Sequence, residues 1–536
     1  MIGANNSGKT NLVDAIRIFY EGDLKFTPGR DWPKFPIDDE ESWIEIEYFL
    51  TEVEFNNLKD NYKLDRKTLR VRKYLKSPNQ ERFKTNQSNL FGYEKEGLSN
   101  SYFYGARNIS EAKLGDIIYI PEVAKVDEYT KLSGPSAFRN LLEFVIKKVI
   151  KNSKAFEDLG KAFSNFNDKF KDETSSDGIS LKNLVKDINN EIKSWDIRFG
   201  VNINPIKPQE IIRNLIIHYL EDKNLVNQQM DVGSFGQGLQ RHLIYILIKL
   251  SSKYKELPPV KDKKEFSPDF TLILFEEPEA FLHPTQQEIL NISLKEISLE
   301  NNQQVLATTH STHFISRNID DITSLVKLSK NGPETVIYQV NDATLQNILS
   351  ENQEIKDILG EEITKKDIEL ESIRYYLWLD PDRCCAFFAN IVLICEGLSE
   401  KALIDYLIKS KRLVFGDNDQ IYILNAGGKY DIHKYMNLFY RFGIKHSILY
   451  DGDLNKDKNL KINNFIKKNK NNFTLSTFSF SGEFEDFLNI EKVNKNYLKP
   501  LNVMWHYRNN KISIGKIKDL INIIKGLVGS KSLTST

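Results

Sequence analysis

The chain opens on Gly3-Ala4-Asn5-Asn6-Ser7-Gly8-Lys9-Thr10, which fits G-x-x-x-x-G-K-[ST], the pattern of a loop that wraps a phosphate chain. No other feature constrains the fold as much. Such a loop works only between a buried strand and the N-terminus of a helix, where backbone N–H groups face the anion. Gly3 and Gly8 let the backbone close round the phosphates, and Asn6 and Ser7 complete the nucleotide-binding loop. Lys9 is expected to reach the β and γ phosphates and the Thr10 hydroxyl to ligate Mg²⁺. A chain this long shows the pattern by chance roughly once in fifty, so further motifs must support it. Leu12, Ala15, Ile16 and Phe19 give the following residues helical spacing. Only Met1 and Ile2 precede the loop, so the strand before it is expected to be missing.

With 536 residues, two or more domains are expected. No run of about 18 apolar residues marks a membrane span, and no basic-then-apolar leader opens the chain. Cys384, Cys385 and Cys395 show no metal-ligand spacing, and three cysteines suit a reducing cytoplasm better than a disulfide framework. Charge is balanced at 74 basic and 74 acidic residues but unevenly spread. Residues 391–536 hold 23 lysines and arginines against 14 aspartates and glutamates, so the C-terminal third is the part expected to meet a polyanion.

Strands are expected at Trp43–Leu50, Leu69–Leu75 and Ile117–Ile120, and a helical insertion, a candidate dimer surface, across 136–220. Thr271–Phe275 and Gln304–Thr308 read as buried parallel strands. A charged, mostly helical stretch, 341–387, is expected to link a domain over 1–340 to one over 388–536. The second domain starts a new α/β pattern with strands Ile391–Cys395, Gln420–Leu424 and His446–Tyr450, and helices Glu400–Ser410 and Tyr430–Phe442. The Lys/Asn-rich segment Asn455–Asn472 reads as an exposed loop or frayed helix.

The phosphate loop needs a partner acid, and Thr271-Leu272-Ile273-Leu274-Phe275-Glu276-Glu277 supplies one at the end of a buried strand. Glu276 is expected to serve Mg²⁺, and Glu277 to orient the attacking water. Gly233-Ser234-Phe235-Gly236-Gln237-Gly238 precedes a helix, with Ser234 and Gly236 as anion-site residues. Thr308-Thr309-His310-Ser311 follows the next strand. In this order the four motifs resemble those of the ABC ATPases, with Phe235 replacing a glycine of the signature S-G-G-Q and glutamate at Glu276 where aspartate is usual. The resemblance covers roughly 1–330. It implies a head in which His310 contacts the γ-phosphate, and ATP sandwiched between two heads, hence at least a dimer.

A second constellation follows. Glu396 ends the Ile391–Cys395 strand, Glu400 lies one helical turn on, and the His446–Tyr450 strand runs into Asp451-Gly452-Asp453. In a parallel sheet these tips share one edge, where ligands bind. Glu396, Glu400, Asp451 and Asp453 are therefore expected to converge on one or two Mg²⁺ or Mn²⁺ ions, which clamp the attacking and leaving oxygens of a phosphodiester. With Asn425-Ala426-Gly427-Gly428-Lys429 between them, these residues resemble the Toprim domain, a Rossmann-like nuclease and topoisomerase module.

An ABC-type head followed by Toprim on one chain resembles the overcoming-lysogenization-defect (OLD) nuclease family, which takes in the Gabija anti-phage nucleases. The Arg383–Asn390 approach segment fits it as well. The resemblance implies an α/β P-loop head plus Toprim domain, and metal held by Glu396, Glu400, Asp451 and Asp453. It also implies further metal ligands from Ser481, Glu483 and Glu485, and a transition-state lysine, for which Lys499 is the candidate. The implied activity is ATP-regulated, metal-dependent DNA cleavage or nicking in phage defence, with a helicase-like partner in the Gabija type. The alternatives are a non-cleaving ATP-dependent DNA clamp and a Toprim ribonuclease.

Overall fold

The computed structural model describes the chain except residues 22–23, 65, 107–113, 123–125, 132–137, 140–141, 143–144, 147–152, 196, 202–218, 222–228, 254–265, 267, 269, 300–302, 316–318, 417–419, 454–456 and 530–536. Two compact units emerge. The first comprises Met1–Ile120, Phe266–Glu279 and His283–Thr536, and the second Pro121–Glu265 with Ala280–Leu282.

The first unit holds the phosphate loop on a parallel sheet. Strands Asp116–Ile120, Thr271–Glu276 and Gln303–Thr308 lie side by side in that order, with Glu276 opposite Thr308. Ile273, Leu274 and Phe275 are buried, which is why an unbroken apolar run makes this central strand. Met1 and Ile2 stand where the strand before the loop belongs. Thr309 N–H donates to Met1 O at 3.0 Å, Ile2 N–H to Val326 O at 2.8 Å, and Leu328 N–H to Ile2 O at 2.9 Å. The loop therefore does have backbone pairing on both sides, through two residues that strand periodicity could not register. The helix Lys9–Tyr20 follows at once and buries Val13, Ile18 and Phe19. A four-stranded antiparallel sheet, Ser42–Phe49, Thr68–Lys76, Leu90–Glu94 and Gly97–Tyr102, packs Leu69, Val71 and Leu90 against Phe19. Its last two strands have no apolar alternation and were not expected.

The same unit carries a second parallel sheet, ordered Ile421–Asn425, Ile391–Cys395, Lys445–Tyr450, Thr474–Ser479. Helices Asp342–Glu351, Glu354–Leu359 and Lys365–Trp378 join its core: Leu345, Ile348, Ile355 and Tyr375 cluster with Val392, Ile394, Phe439 and Ile448. Of the two alternatives for Asn455–Asn472, the structure gives the helix, but one packed on the core rather than frayed. This helix, Asp457–Lys468, forms because Ile462, Phe465 and Ile466 stand at helical spacing among the lysines and are buried.

The second unit carries helices Lys154–Asp172, Leu181–Glu191 and Gln237–Lys253, with a short antiparallel pair, Leu220–Glu221 and Gln229–Met230. Ser153 and Ser180 cap the first two, each accepting an N–H from three residues on. Much of the apolar run expected at 138–149, including Leu141, Phe144 and Val149, lies outside the described residues.

Candidate functional site

At the phosphate loop the backbone curls through left-handed positions, with Asn6 at φ 61° and Gly8 at φ 98°. A Cβ at Gly8 would stand 2.5 Å from Thr335 Oγ1, and that hydroxyl donates to Ser7 O at 3.1 Å, so only glycine fits the turn. Ser7 Oγ is buried with no hydrogen-bond partner. Lys9 is buried, and burial lowers its pKa. Its Nζ donates to Gly3 O at 3.0 Å and Ala4 O at 3.3 Å and lies 2.8 Å from His310 Nε2. Thr10 is exposed in the first helical turn. A cradle of glycine backbone, a buried lysine and an unbonded hydroxyl suits a phosphate chain.

The acids face this loop. Tyr119 O–H donates to Glu276 Oε2 at 2.6 Å, and the Arg17 guanidinium sits 3.6 Å over the Tyr119 ring. Glu277 holds the left-handed φ of 43°, a costly conformation for a residue with a Cβ. Burial, then the neighbouring Glu279, pushes its pKa up to about 8. Its Oε1 is 3.4 Å from His310 Nε2, so Lys9, His310 and Glu277 stand in one line of contact. Glu279, which carries no expected role, fixes the histidine's loop. Its Oε1 accepts from Thr309 O–H at 2.6 Å, His310 N–H at 2.7 Å and Ser311 N–H at 3.0 Å. The only signal in the sequence is its place in Glu276-Glu277-Pro278-Glu279, next to acids of obvious use.

Ser234 and Gly236 belong to the second unit. Ser234 ends a short turn, Val232–Ser234, where Asp231 Oδ1 accepts from Gly233 N–H at 2.8 Å, and the helix Gln237–Lys253 begins just after Gly236.

On the second sheet, strand tips bring the acids to one edge. Glu396 Oε2 accepts from Asp451 N–H at 3.0 Å, which locks the tips of two adjacent strands together. Glu400 is buried in the first turn of helix Leu398–Lys409 and accepts from Gly397 N–H at 3.2 Å. Glu485, in the short helix Phe484–Leu488, is also buried. Burial raises the Glu396 pKa and pushes Glu400 to about 7, with further repulsion on Glu400 from Glu396 and Glu485. Asp451 is pushed up to about 9 by burial and then by Glu400, Glu396, Asp453 and Glu485. Asp451 Oδ1 and Glu485 Oε1 are buried without any donor. Orphaned carboxylate oxygens in a hard, all-oxygen set fit a divalent cation, which would relieve both their desolvation and their repulsion.

Two other expected ligands point to cations. Asp453 Oδ2 lies 2.9 Å from Lys429 Nζ, a buried amine that is also 4.0 Å from Glu396 Oε2. Glu483 pairs with Lys499 at 3.2 Å and with Lys492 at 3.4 Å. Among the described residues, no group of three or more His, Cys, Asp or Glu stands at metal-holding geometry. Ser481 sits in the loop beside this edge. There the Gly452 N–H donates to Gly482 O at 3.2 Å, and buried Asn463 donates its side-chain N–H to Gly452 O at 2.6 Å. Lys429 was legible only as the residue after Gly427-Gly428; its approach to Asp453 depends on how three loops meet.

Comparison with known proteins gives two family matches: residues 1–315 fit the AAA ATPase domain, and residues 387–453 the TOPRIM domain of overcoming lysogenization defect protein-like proteins. The chain is 22% identical to "Endonuclease GajA" of Bacillus cereus (strain HuB5-5), across 97% of this chain and 69% of that protein. It is also 22% identical to "Old nuclease" of Escherichia phage P2, across 84% of this chain and 73% of that one. A solved structure of Stu0660 of Streptococcus thermophilus aligns with 66% of this chain and 73% of its own at 8% identity and a TM-score of 0.36, too distant to carry an argument.

Proposed function

The chain belongs to the AAA ATPase domain family, and on that premise we propose that it is an ATP-regulated, divalent-metal-dependent DNA endonuclease or nickase. One observation carries the reading. Glu396 and Asp451 meet at adjacent strand tips, Glu400 and Glu485 lie near enough to raise the Asp451 pKa, and buried oxygens of Asp451 and Glu485 have no donor. An arrangement this costly in a bare protein makes sense as a cation site. The names of the two relatives, an endonuclease and a nuclease, agree with it.

Glu396, Glu400, Asp451 and Glu485 would hold Mg²⁺ or Mn²⁺, with Asp453, Glu483 and Ser481 in reach of a second ion. A divalent cation bound there would supply Lewis-acid polarisation of the phosphodiester. The protein's own part is to fix the carboxylates: the Asp451 N–H to Glu396 bond sets the spacing of two strand tips. Lys499, at the foot of its helix, offers positive charge to the scissile phosphate. In the head, Lys9 and Thr10 would bind ATP and Mg²⁺, Glu276 would serve the metal, and Glu277 with His310 would orient water. Two or more copies would sandwich ATP through Ser234 and Gly236. We propose also a phage-defence role, with or without a helicase-like partner, which is what the sequence resemblance to the OLD family implies.

The test is metal-dependent cleavage of supercoiled plasmid, with and without ATP, beside Glu396→Ala and Asp451→Ala. Nicking or linearisation lost in both variants is the expected result. DNA and metal binding without cleavage under any condition would instead mark a clamp, and cleavage confined to RNA a ribonuclease.

A further inference from the structure

The carboxylate edge is flanked by a segment of opposite character. From Val493 to Lys518 the chain carries six lysines and arginines and not one aspartate or glutamate. This segment forms the turn Asn496–Leu498, the helix Lys499–Arg508 and the start of the helix Ile514–Leu527. Lys499, at the start of its helix, reaches Glu483 at 3.2 Å, so the segment starts at the acidic edge and leads away from it.

Its two faces have different jobs. Val503 and Tyr507 face inward and are buried; Tyr507 O–H accepts from Arg412 at 2.9 Å, and its ring meets Tyr406 at 5.4 Å. On the outside of the helix, four positions apart, stand Leu501 and Trp505, 65% and 51% exposed, and Tyr497 in the turn just before it is 70% exposed. Three large apolar side chains exposed along one short stretch without serving the core call for a partner. Cations attend them: Lys495 Nζ lies 5.9 Å over the Tyr497 ring, Lys511 Nζ lies 4.1 Å over the Trp505 ring, and Arg508 is exposed beside them.

Flat aromatic faces interleaved with amines, without acids, are what an unpaired nucleic-acid strand needs: rings for bases, cations for phosphates. A duplex hides its base faces. A second copy docking symmetrically would bring this basic stripe against itself and be repelled.

We propose that Tyr497, Leu501 and Trp505, with Lys495, Arg508 and Lys511, form a binding rail for a single-stranded or locally unpaired nucleic acid, which it feeds to the carboxylate edge. This inference rests on the nuclease reading and narrows its substrate to a strand with unpaired bases beside the cut.

The experiment is fluorescence anisotropy of labelled oligothymidylate, and of a duplex of equal length, with full-length protein in EDTA over a series of salt concentrations. Four proteins are compared: wild type, Tyr497→Ala/Trp505→Ala, Tyr497→Ala/Trp505→Phe, and Lys495→Gln/Arg508→Gln/Lys511→Gln. Circular dichroism and sedimentation are run on each. The aromatic variant is expected to bind the single strand about 30-fold more weakly at unchanged salt slope, with duplex binding little affected and Trp505→Phe restoring much of the loss. The triple charge variant is expected to lower the log–log salt slope by about 2. Wild-type affinity in the folded aromatic variant, equal loss on the duplex, or a change of oligomeric state with that variant would each overturn the rail. Plasmid cleavage by the same preparations separates the two claims. A wild type that cleaves while the aromatic variant binds normally leaves the nuclease and removes the rail; a rail that binds on a wild type that never cleaves does the reverse.

Discussion

Lys429 is the residue whose place most changes how the carboxylate edge is understood. A buried amine is costly unless ion-paired, and this one lies 2.9 Å from Asp453 and 4.0 Å from Glu396. It is an internal counter-charge for acids that would otherwise repel one another, and it occupies one carboxylate that a metal would use. Lys429→Met keeps the length and removes the charge. In EDTA the variant should unfold more easily, by about 3 kcal/mol, the usual cost of leaving one side of a buried pair uncompensated. Its Mn²⁺ affinity should rise, because a cation no longer competes for Asp453. Denaturant titration with and without Mn²⁺, together with calorimetry, reads both; unchanged Mn²⁺ affinity would mean that Lys429 is only a structural pair. The acids themselves were legible in the sequence because each ends or follows an apolar strand. Lys429 and Glu279 were not, because which way a loop side chain turns is decided by contacts from other loops.

At the scale of elements, the loop Asp451–Asp453 is clamped by its neighbours. A Cβ on Gly452 would stand 2.2 Å from Phe480 O, a backbone atom that cannot swing aside. Gly452→Ala should therefore push the loop at residues 480–482 away from the strand tip and destabilise the protein by about 2 kcal/mol or more, with metal binding lost even where the variant remains folded; calorimetry on the soluble fraction checks it. The sheet beneath has its own pH limit. His446 is fully buried, Nδ1 at 2.9 Å from Ile444 O and Nε2 at 2.9 Å from the Thr474 hydroxyl, and burial lowers its pKa to about 4. The folded state thus resists a proton that the unfolded chain accepts near 6.5, so this contribution is intact above pH 6.5 and is lost as pH falls toward 4. The loss amounts to ~3 kcal/mol across that window. His446→Asn should flatten the acid limb of the stability curve by nearly one proton, and an unaltered slope would show that His446 is not its source. The element level was the most legible: Thr271–Glu276, Ile391–Cys395 and Lys445–Tyr450 have buried interiors whose apolar runs announce them, whereas Gln303–Thr308 pairs in parallel as expected but buries only Thr308. Leu90–Glu94 and Gly97–Tyr102 carry no such run, and in Asp457–Lys468 abundant lysine and asparagine mask three apolar residues at helical spacing.

At the scale of the whole chain, the question is how a nucleotide bound at Lys9 could alter chemistry at Glu396. Sequence order separates the motifs by hundreds of residues and says nothing of their contact, but the first unit does join them. His310, 2.8 Å from Lys9, has its ring 6.3 Å from that of Phe388. The turn Thr312–Phe314 packs on the helix Pro381–Cys384. Phe388 in turn packs against the core of Val392 and Ile394, in the strand that ends at Glu396. A ring contact of this kind can transmit a shift only if the His310 ring, which lies 2.8 Å from Lys9 Nζ and 3.4 Å from Glu277 Oε1, takes different positions with and without the γ-phosphate. Phe388→Ala should leave ATP binding and ATP-free cleavage near their wild-type values while shrinking the effect of ATP on cleavage to within about 2-fold, the loss of a coupling usually worth 1–3 kcal/mol. The three quantities are measured separately, by nucleotide titration and by plasmid cleavage with and without ATP. An undiminished ATP effect in Phe388→Ala would move the coupling off this contact, and the buried Glu371–Lys434 pair at 3.0 Å, which ties the helix Lys365–Trp378 to the helix Ile432–Arg441, would be the next path to cut.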